Sequence, residues 1–566
     1  MKRLLIAGLL LLAASLFTEA QEPLDLLIRG GTVIDGSGKA AFSADIGIRN
    51  GLIVGIGDLN KSQARETIDA AGLIVAPGFI DVHTHADGVD GKPLAENYVK
   101  MGVTTVVAGN CGGSTINVAG TFRKIREAGI AVNFATLVGH NTIRSSVMGT
   151  ERRAPTAAEL EKMKALVARA MSEGAFGLST GLQYVPGVYA DSREIVELAK
   201  TAAAAGGLYA SHMRNEGTEI LDAIRETIAV GEQAHCRVQI SHIKIDSPKN
   251  WGESAAVLGL IDAARRRGVQ VQADQYAYSA GSSGLSIRFP AWALEGGREQ
   301  TRRRLEDPAT WAKIKREMTG LLEERGFHDL SWGVVASYRA DPTLEGLSIK
   351  EIAVKLKGGD SADAQLETAR EMMLRGNPGM VYHFMSEDDI ARFMRHPQVS
   401  VGSDSSLVSP GEGVPHPRSY GNTARILGHY VREAKVLPLE EAVRKMTSLP
   451  ASQFGFSGRG LIREGFAADL VLFNQETVAD RATYAQPHQY PVGIPCVIVN
   501  GAVVVREGNH TGARPGKVLP YVADKQRERT GLSLNGYLPT FESRFASFSR
   551  KGTPSAIHLG AGAPLR

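Results

Sequence analysis

The sequence predicts an α/β protein. Its centre is a TIM-like (β/α)8 barrel, joined by a small β-sandwich formed from N- and C-terminal segments and by an α-helical insertion between strands seven and eight. Three observations predict this fold. Short apolar runs alternate with helix-like segments in the middle of the chain. Stretches rich in strand-forming residues occur near both ends. More than a hundred residues separate the last two strand-like runs, too many for an ordinary connection.

The first twenty residues are typical of a secretory signal peptide. Lys2 and Arg3 form a positive start, residues 4–17 an apolar core, and Thr18-Glu19-Ala20 a small-residue cleavage site. The apolar core is shorter than the roughly 20 residues that a membrane-spanning helix needs, which favours cleavage over a membrane anchor. We therefore expect an exported protein, periplasmic or secreted, that begins near Gln21 and has no stable membrane anchor.

The β-sandwich is predicted from residues 21–77 and 457–520. Asn50-Gly51 separates alternating apolar segments in the first stretch, and Asn500-Gly501 does so in the second. Asn-Gly is typical of a two-residue hairpin turn. Two β-rich pieces that flank a different middle would most simply pair with each other. The tail, residues 521–566, has few periodic apolar runs, and its structure is left open.

The barrel is predicted over residues 78–456. Thr156 and Glu159 form a capping box that begins a helix, and Asp191 with Glu194 begins another. Residues 285–379, approximately, are the predicted helical insertion, which on the catalytic face would act as a lid. Eight strand-like runs begin near Phe79, Thr104, Ala131, Ala175, Gly207, Arg237, Val269 and Val399. Catalytic groups of such a barrel lie at the C-terminal strand ends.

Six candidate metal ligands lie at or just past such strand ends. They are His83, His85, Cys111, His212, His242 and Asp404. His83 and His85 are two residues apart in a strand, so both imidazoles point to the same side. Imidazole, thiolate and carboxylate together suit Zn²⁺ or a similar divalent ion. Asp404 is also placed to act as general base and acid. A helix N-cap is the alternative, but the position of VGSD directly after an apolar run favours catalysis.

The composition limits the classes of molecule that the protein is expected to bind. The formal net charge of the chain is +4, and its basic residues are spread out, so nothing predicts binding to nucleic acid. A small-molecule substrate is expected, and the oligomeric state is left open. Cys111, Cys236 and Cys496 are too few and too widely spaced for a disulfide framework. One thiol must stay unpaired, and Cys111 is the candidate.

Several segments resemble the amidohydrolase superfamily, and specifically its N-acyl-D-amino-acid deacylases (D-aminoacylases), over most of the chain. They include GFIDVHTHAD, TTVVAGNCG, GLSTGLQYVPGVYA, SHMRNEG, DQYAYSAGSS, VGSD and HPRSYG. The resemblance implies that Cys111, His212 and His242 hold one tight zinc. It implies a second, weaker position that faces His83, His85 and Asp404. Strand four lacks the lysine that bridges two metals in many superfamily members, which agrees with a bridging cysteine.

The resemblance also implies residues that bind substrate. The guanidinium of Arg418 offers a planar fork for an α-carboxylate. Lys244, two residues after His242, would add a second positive charge, and Tyr276 and Ser282 would contribute hydrogen bonds. His140, at the end of strand three, is either a core histidine or a substrate contact.

The expected reaction is hydrolysis of N-acyl-D-amino acids to a carboxylate and a free D-amino acid. Two alternatives remain open at this point. One is a cyclic-amide hydrolase of the dihydroorotase or hydantoinase type, against which the missing strand-four lysine argues. The other is an exported metal-containing binding protein without turnover, against which Asp404 argues, because a binder needs no general base.

Overall fold

The computed structural model describes residues 22–523. The predicted signal peptide and nearly all of the tail lie outside these residues. Among the described residues, no helix has both the length and the apolar character that crossing a membrane requires.

Eight parallel strands follow one another in chain order, as predicted. The strands are Phe79–Asp81, Val103–Ala108, Asn133–Thr136 with its continuation Val138–Gly139, Gly177–Gly181, Leu208–His212, Val238–Ile240, Val271–Gln275 and Val399–Val401. Every pairing between neighbours is parallel. Just past strands eight and one, Ser405–Ser406 pairs in parallel with Thr84–His85. The C-terminal ends of the last and first strands are therefore adjacent.

Helices alternate with these strands and bury one face against them. The predicted capping box is present, since the Thr156 hydroxyl accepts from Glu159 N and the Glu159 carboxylate accepts from Thr156 N. Asp191 likewise caps the next helix. The helices outside the insertion are Glu96–Val99, Val118–Ala128, His140–Met148, Ala157–Ser172, Ser192–Ala204, Ile220–Ala234, Ser254–Arg266, Glu387–Arg395, Arg418–Arg425 with its π-helical continuation Ile426–Glu433, Leu439–Met446 and Ser448–Phe454.

The two terminal segments form one sheet system, as predicted. They join where Ile74–Pro77 pairs antiparallel with Leu470–Phe473. Asn50 has φ 51° and Gly51 has φ 75°, the left-handed conformation that a two-residue hairpin turn requires. The remaining strands are Leu24–Val33, Phe42–Arg49, Leu52–Gly57, Ala64–Asp69, Cys496–Val499, Ala502–Arg506 and Asn509–His510. A separate apolar core fills this sandwich.

The insertion between strands seven and eight is helical, as predicted, but it also contains a small sheet that was not predicted. Its helices are Gly297–Glu306, Pro308–Arg325, Ile349–Lys357 and Ala362–Arg375. Three antiparallel strands, Ala280–Gly284, Gly333–Ser337 and Gly379–His383, pair with the last of them in the middle. The first of these reads AGSSG, which has no apolar alternation, so only its distant partner makes it a strand.

The end of the described chain leaves the sandwich and contacts the barrel. Phe134 in strand three donates its N–H to Lys517 O and accepts from Leu519 N through its carbonyl. The ring of Tyr521 packs edge-on against Phe176, with centroids 5.3 Å apart. This segment therefore covers strands three and four at their N-terminal ends.

A buried lysine beneath strand eight gives a first testable prediction. Lys445 Nζ donates to Val399 O at 2.9 Å and to His396 O. Burial lowers the pKa of Lys445 from 10.5 to about 7, while Glu441 opposes this and Arg444 adds to it. The folded lysine thus loses its proton at lower pH than the unfolded one. The cost of burying the charged lysine therefore lowers the free energy of unfolding in full below about pH 7. This loss of stability becomes smaller as pH rises towards 10.5.

We expect Lys445→Met to remove this pH dependence. Between pH 7 and 10, the free energy of unfolding of the wild type should increase relative to that of the variant by up to about 1.4 kcal/mol per pH unit. Urea unfolding of both proteins across this range measures the difference. Parallel pH curves for the two proteins would show that Lys445 stays charged in the folded protein.

Candidate metal centre

The predicted ligands converge at one point above the barrel strands. Cys111 Sγ lies 3.3 Å from His83 Nε2 and 3.4 Å from His242 Nε2. His212 Nδ1 lies 2.7 Å from His242 Nε2. The thiol thus stands between the histidine after strand one and the histidine after strand six.

Asp404 completes the cluster from strand eight. Its Oδ1 lies 3.1 Å from His85 Nε2 and 3.5 Å from His83 Nε2. Both histidines of the His-Thr-His segment therefore reach the same carboxylate oxygen. The structure brings together all six residues that the sequence singled out.

Three of the six adopt a left-handed backbone. Cys111 has φ 53°, His242 has φ 33° and Asp404 has φ 52°. Such values are uncommon for residues other than glycine and cost energy, and they tend to cluster at functional sites. Backbone hydrogen bonds hold two of them, because Asp404 N donates to His83 O and His242 N donates to an Asp274 carboxylate oxygen. Each strand thus turns sharply where it delivers its ligand.

Electrostatics favour the ligating forms of the thiol and the carboxylate. Burial raises the pKa of Cys111, but the neighbouring His83 and His242 outweigh it and hold that pKa well below its ordinary value. Burial also opposes ionisation of Asp404, and Arg418 with His242 outweighs it, so the pKa of Asp404 is well below its usual range. A thiolate, imidazoles and a carboxylate within contact of one another fit a zinc centre.

Glu216 belongs to the site and was missed from the sequence. It is 3% exposed, and its Oε1 lies 2.7 Å from Lys244 Nζ and 3.1 Å from His242 Nδ1. Burial raises its pKa, but Lys244, His212 and His242 lower that pKa by more than burial raises it. The group is therefore an ionised carboxylate. The available signal was an acid four residues after His212 in SHMRNEG.

Two further residues contact the ligands and were not singled out. Asp274 Oδ1, on strand seven, lies 3.0 Å from His83 Nδ1. Tyr184 OH, in the loop after strand four, lies 3.4 Å from His212 Nδ1. Both stand in segments that carried the family resemblance, but nothing local in the sequence marks them as neighbours of histidines.

Two of the predicted substrate residues stack beside Asp404. Arg418 is 4% exposed, and its guanidinium nitrogen lies 2.8 Å from Asp404 Oδ2. The same guanidinium lies 4.6 Å from the centroid of the Tyr276 ring. At this distance the ring contributes cation–π attraction to the guanidinium.

The other predicted substrate residues have partners within the protein. Lys244 Nζ contacts Glu216 and His242. The Ser282 hydroxyl donates to Met380 O inside the small antiparallel sheet of the insertion. His140 is a satisfied core histidine, because its Nε2 lies 2.8 Å from Glu194 in a fully buried pair. Cys111, Cys236 and Cys496 are all free thiols.

A parallel α/β barrel that gathers His, Cys and Asp ligands at its C-terminal strand ends has the architecture of a metal-dependent hydrolase. Residues 66–329 and 361–505 match the amidohydrolase family. The chain is 37% identical over 532 residues to the D-aminoacylase of Alcaligenes xylosoxydans xylosoxydans, covering 89% of this chain and 99% of that protein. It is 38% identical over 522 residues to the N-acyl-D-glutamate deacylase of the same organism, covering 88% and 97%.

Among solved structures, the chain is similar to the N-acyl-D-glutamate deacylase of Bordetella bronchiseptica complexed with zinc and a phosphonate inhibitor. The TM-score is 0.77 and the identity 37%, over 88% of this chain and 100% of that one. This chain therefore belongs to the amidohydrolase family, in its branch of N-acyl-D-amino-acid deacylases.

Proposed function

We propose that this protein hydrolyses the amide bond of N-acyl-D-amino acids and releases a carboxylate and a free D-amino acid. The D configuration rests on the relatives, which are named D-aminoacylase, N-acyl-D-glutamate deacylase and N-acyl-D-aspartate deacylase. Zinc is the proposed cofactor, with one tight position at Cys111, His212 and His242. A weaker second position would face His83, His85 and Asp404.

The observation that carries the proposal is the contact between Arg418 and Asp404. In an N-acyl amino acid, a single carbon separates the α-carboxylate from the amide nitrogen. A group that reads the carboxylate must therefore lie within a few ångströms of the group that protonates the nitrogen. A buried arginine beside a buried strand-end aspartate meets this requirement, and a general amidase would not need it.

The chain's own residues account for the proton transfers. Zinc, when bound, polarises the substrate carbonyl and lowers the pKa of a water to about 7. Asp404 takes a proton from the attacking water and returns it to the nitrogen of the leaving amine. Arg418 holds the α-carboxylate through paired hydrogen bonds, and the Tyr276 ring packs against its guanidinium.

A substrate screen with metal analysis tests the function. We expect the purified zinc protein to deacetylate N-acetyl-D-amino acids and to leave the L enantiomers, hydantoin and dihydroorotate unchanged. A zinc-stripped sample is the control and should regain activity when zinc is restored. Turnover of the cyclic amides alone would support the hydantoinase alternative, and tight zinc without any turnover would support the binding protein.

Arg418→Lys separates an acyl-amino-acid hydrolase from a general amidase. Lysine keeps the charge but cannot form two parallel hydrogen bonds. Charge-assisted contacts are worth about 1.5–3 kcal/mol each, so kcat/KM should fall at least about tenfold. The loss should be much smaller for a substrate whose α-carboxylate is replaced by a neutral carboxamide. Kinetics of both substrates on both proteins give the double difference.

Arg425→Lys is a matched control on the same helix. Arg425 donates to Ala277 O and lies near Asp480, so it does not contact Asp404. We expect its replacement to affect both substrates alike. Equal losses on the two substrates in Arg418→Lys would mean that Arg418 supports the site without reading the carboxylate.

We further propose that the protein is exported, on the basis of the signal-peptide pattern in its first twenty residues. Cell fractionation and N-terminal sequencing of the mature protein test this. A chain that retains Met1 in the cytoplasmic fraction would contradict it.

A further inference from the structure

Two of the histidines in the metal centre have the carboxylate of Glu216 on the side away from Cys111, and only His242 is within hydrogen-bond distance of it. His242 Nδ1 lies 3.1 Å from Glu216 Oε1. His212 Nε2 lies 3.9 Å from Glu216 Oε2, and it is buried with no hydrogen-bond partner among residues 22–523. The two oxygens of Glu216 thus face the two far nitrogens of the two rings. The second distance is about 1 Å longer than a hydrogen bond.

The near nitrogens of the same rings face each other and the thiol. His212 Nδ1 and His242 Nε2 are 2.7 Å apart, and His242 Nε2 is 3.4 Å from Cys111 Sγ. Both near nitrogens must be unprotonated for both rings to act as ligands. The single proton of each neutral ring must then sit on its far nitrogen, and Glu216 is close enough to accept the proton of His242.

We propose that Glu216 is a positioning residue that holds the proton of His242 on Nδ1, with Lys244 as its counter-ion. Its carboxylate sets the tautomer and orientation of this candidate ligand. The inference rests on the zinc centre of the proposed function, but not on its substrate.

Lys244 has a defined part in this arrangement. Its Nζ lies 2.7 Å from Glu216 Oε1 and 3.0 Å from His242 O, and the side chain is almost completely buried. It also lies 2.7 Å from His242 Nδ1. An ammonium group can only donate, so this last contact must yield when Nδ1 carries the proton. Glu216 and the carbonyl then remain its partners, and the positive charge offsets the cost of burying a carboxylate.

Zinc affinity of the full mature protein, measured by competition with a chelator, tests the role of Glu216. We expect Glu216→Gln to weaken zinc binding by about 10–100-fold, the usual cost of losing a partner outside the ligand set. Glu216→Asp keeps the charge and should fall between the wild type and Glu216→Gln. The visible spectrum of the cobalt-substituted protein should also change in Glu216→Gln, because the imidazole of His242 loses the group that orients it.

Glu226→Gln is the matched control. Glu226 accepts two hydrogen bonds from Arg214, and it is Arg214 that lies in the SHMRNEG segment. Glu226 has no contact with the histidines. It should lower thermal stability without changing zinc affinity or the cobalt spectrum. If Glu216→Gln behaved in the same way, Glu216 would be only an ion-pair partner and the proposal would be overturned. These zinc measurements need no substrate, so they stand even if the wild type proves not to be a deacylase.

Lys244→Met tests the counter-ion. We expect any loss of kcat/KM to be equal for an N-acyl amino acid and for its neutral carboxamide, with zinc affinity reduced less than in Glu216→Gln. A loss confined to the substrate with the carboxylate would overturn this part and make Lys244 a reader of that carboxylate. The comparison between two substrates separates the outcomes even if the variant is less stable.

Discussion

Replacing Cys111 with alanine is expected to remove most of the tightly held zinc and most of the activity. The thiol lies between His83 Nε2 and His242 Nε2, and its pKa is held well below the ordinary value. A thiolate is a strong zinc ligand, and strand four offers no lysine that could take its place. Losing a partner outside the ligand set costs about 10–100-fold in affinity, so losing this ligand should cost more than about 100-fold.

The measurement is zinc content and chelator competition on Cys111→Ala, together with turnover. Cys236→Ala is the control. Cys236 is also a free thiol, but burial raises its pKa to about 11 and it lies outside the cluster. We expect that variant to keep its zinc. Zinc content and turnover at the wild-type level in Cys111→Ala would show that Cys111 is only a packing residue.

Asp404→Asn is expected to retain the fold and the tight zinc but to lose turnover by about 10² to 10⁴. The amide is nearly isosteric with the carboxylate but cannot accept a proton. It also no longer neutralises Arg418, which lies 2.8 Å away, so KM should change as well. Steady-state kinetics on samples of known zinc content separate the two effects. A variant that kept more than a tenth of the wild-type kcat would exclude Asp404 as the base.

Asp389→Asn controls for the loss of a buried carboxylate as such. Asp389 is 3% exposed and accepts hydrogen bonds from Gly252 N and from the Ser254 hydroxyl, away from the metal centre. Its replacement should lower the melting temperature and leave kcat close to that of the wild type. A large loss of kcat in both variants would point to general destabilisation as the cause.

Local signals in the sequence were reliable guides to local structure. The Thr156 capping box, the Asp191 cap and the Asn50-Gly51 hairpin all form as predicted. Each depends on residues within three or four positions of one another, so the sequence contains the whole interaction. The strand containing AGSSG was missed because its stability comes from pairing with Gly379–His383, about a hundred residues away.

The same distinction holds at the metal centre. His83 and His85 were predicted to lie two apart in one strand, but the structure has a bend at Val82-His83 between the strands Phe79–Asp81 and Thr84–His85. The two histidines nevertheless converge, because both reach Asp404. Glu216 and Asp274 were not predictable as partners of the histidines. A carboxylate can orient an imidazole only when the fold places it next to one of the ring nitrogens, as it does here. Lys244 illustrates the converse. Its residue type suits a substrate carboxylate, which stays a prediction, and the fold also places it against a carboxylate of the protein itself, as it places Arg418 against Asp404.

By itself, the sequence determined the order of strands and helices, the candidate ligand residues at the strand ends and the family of the protein. These follow from periodicity, from capping and turn chemistry, and from short segments that carry their own geometry. Only the tertiary structure decided which candidate ligands face each other and which histidine nitrogen lies near which carboxylate oxygen. It also decided which carboxylate each buried cation contacts. Several of those contacts join residues far apart in the chain: His212 and His242 are 30 positions apart, and His85 and Asp404 are 319 positions apart. Packing sets their distances to within an ångström, and no local pattern contains that information.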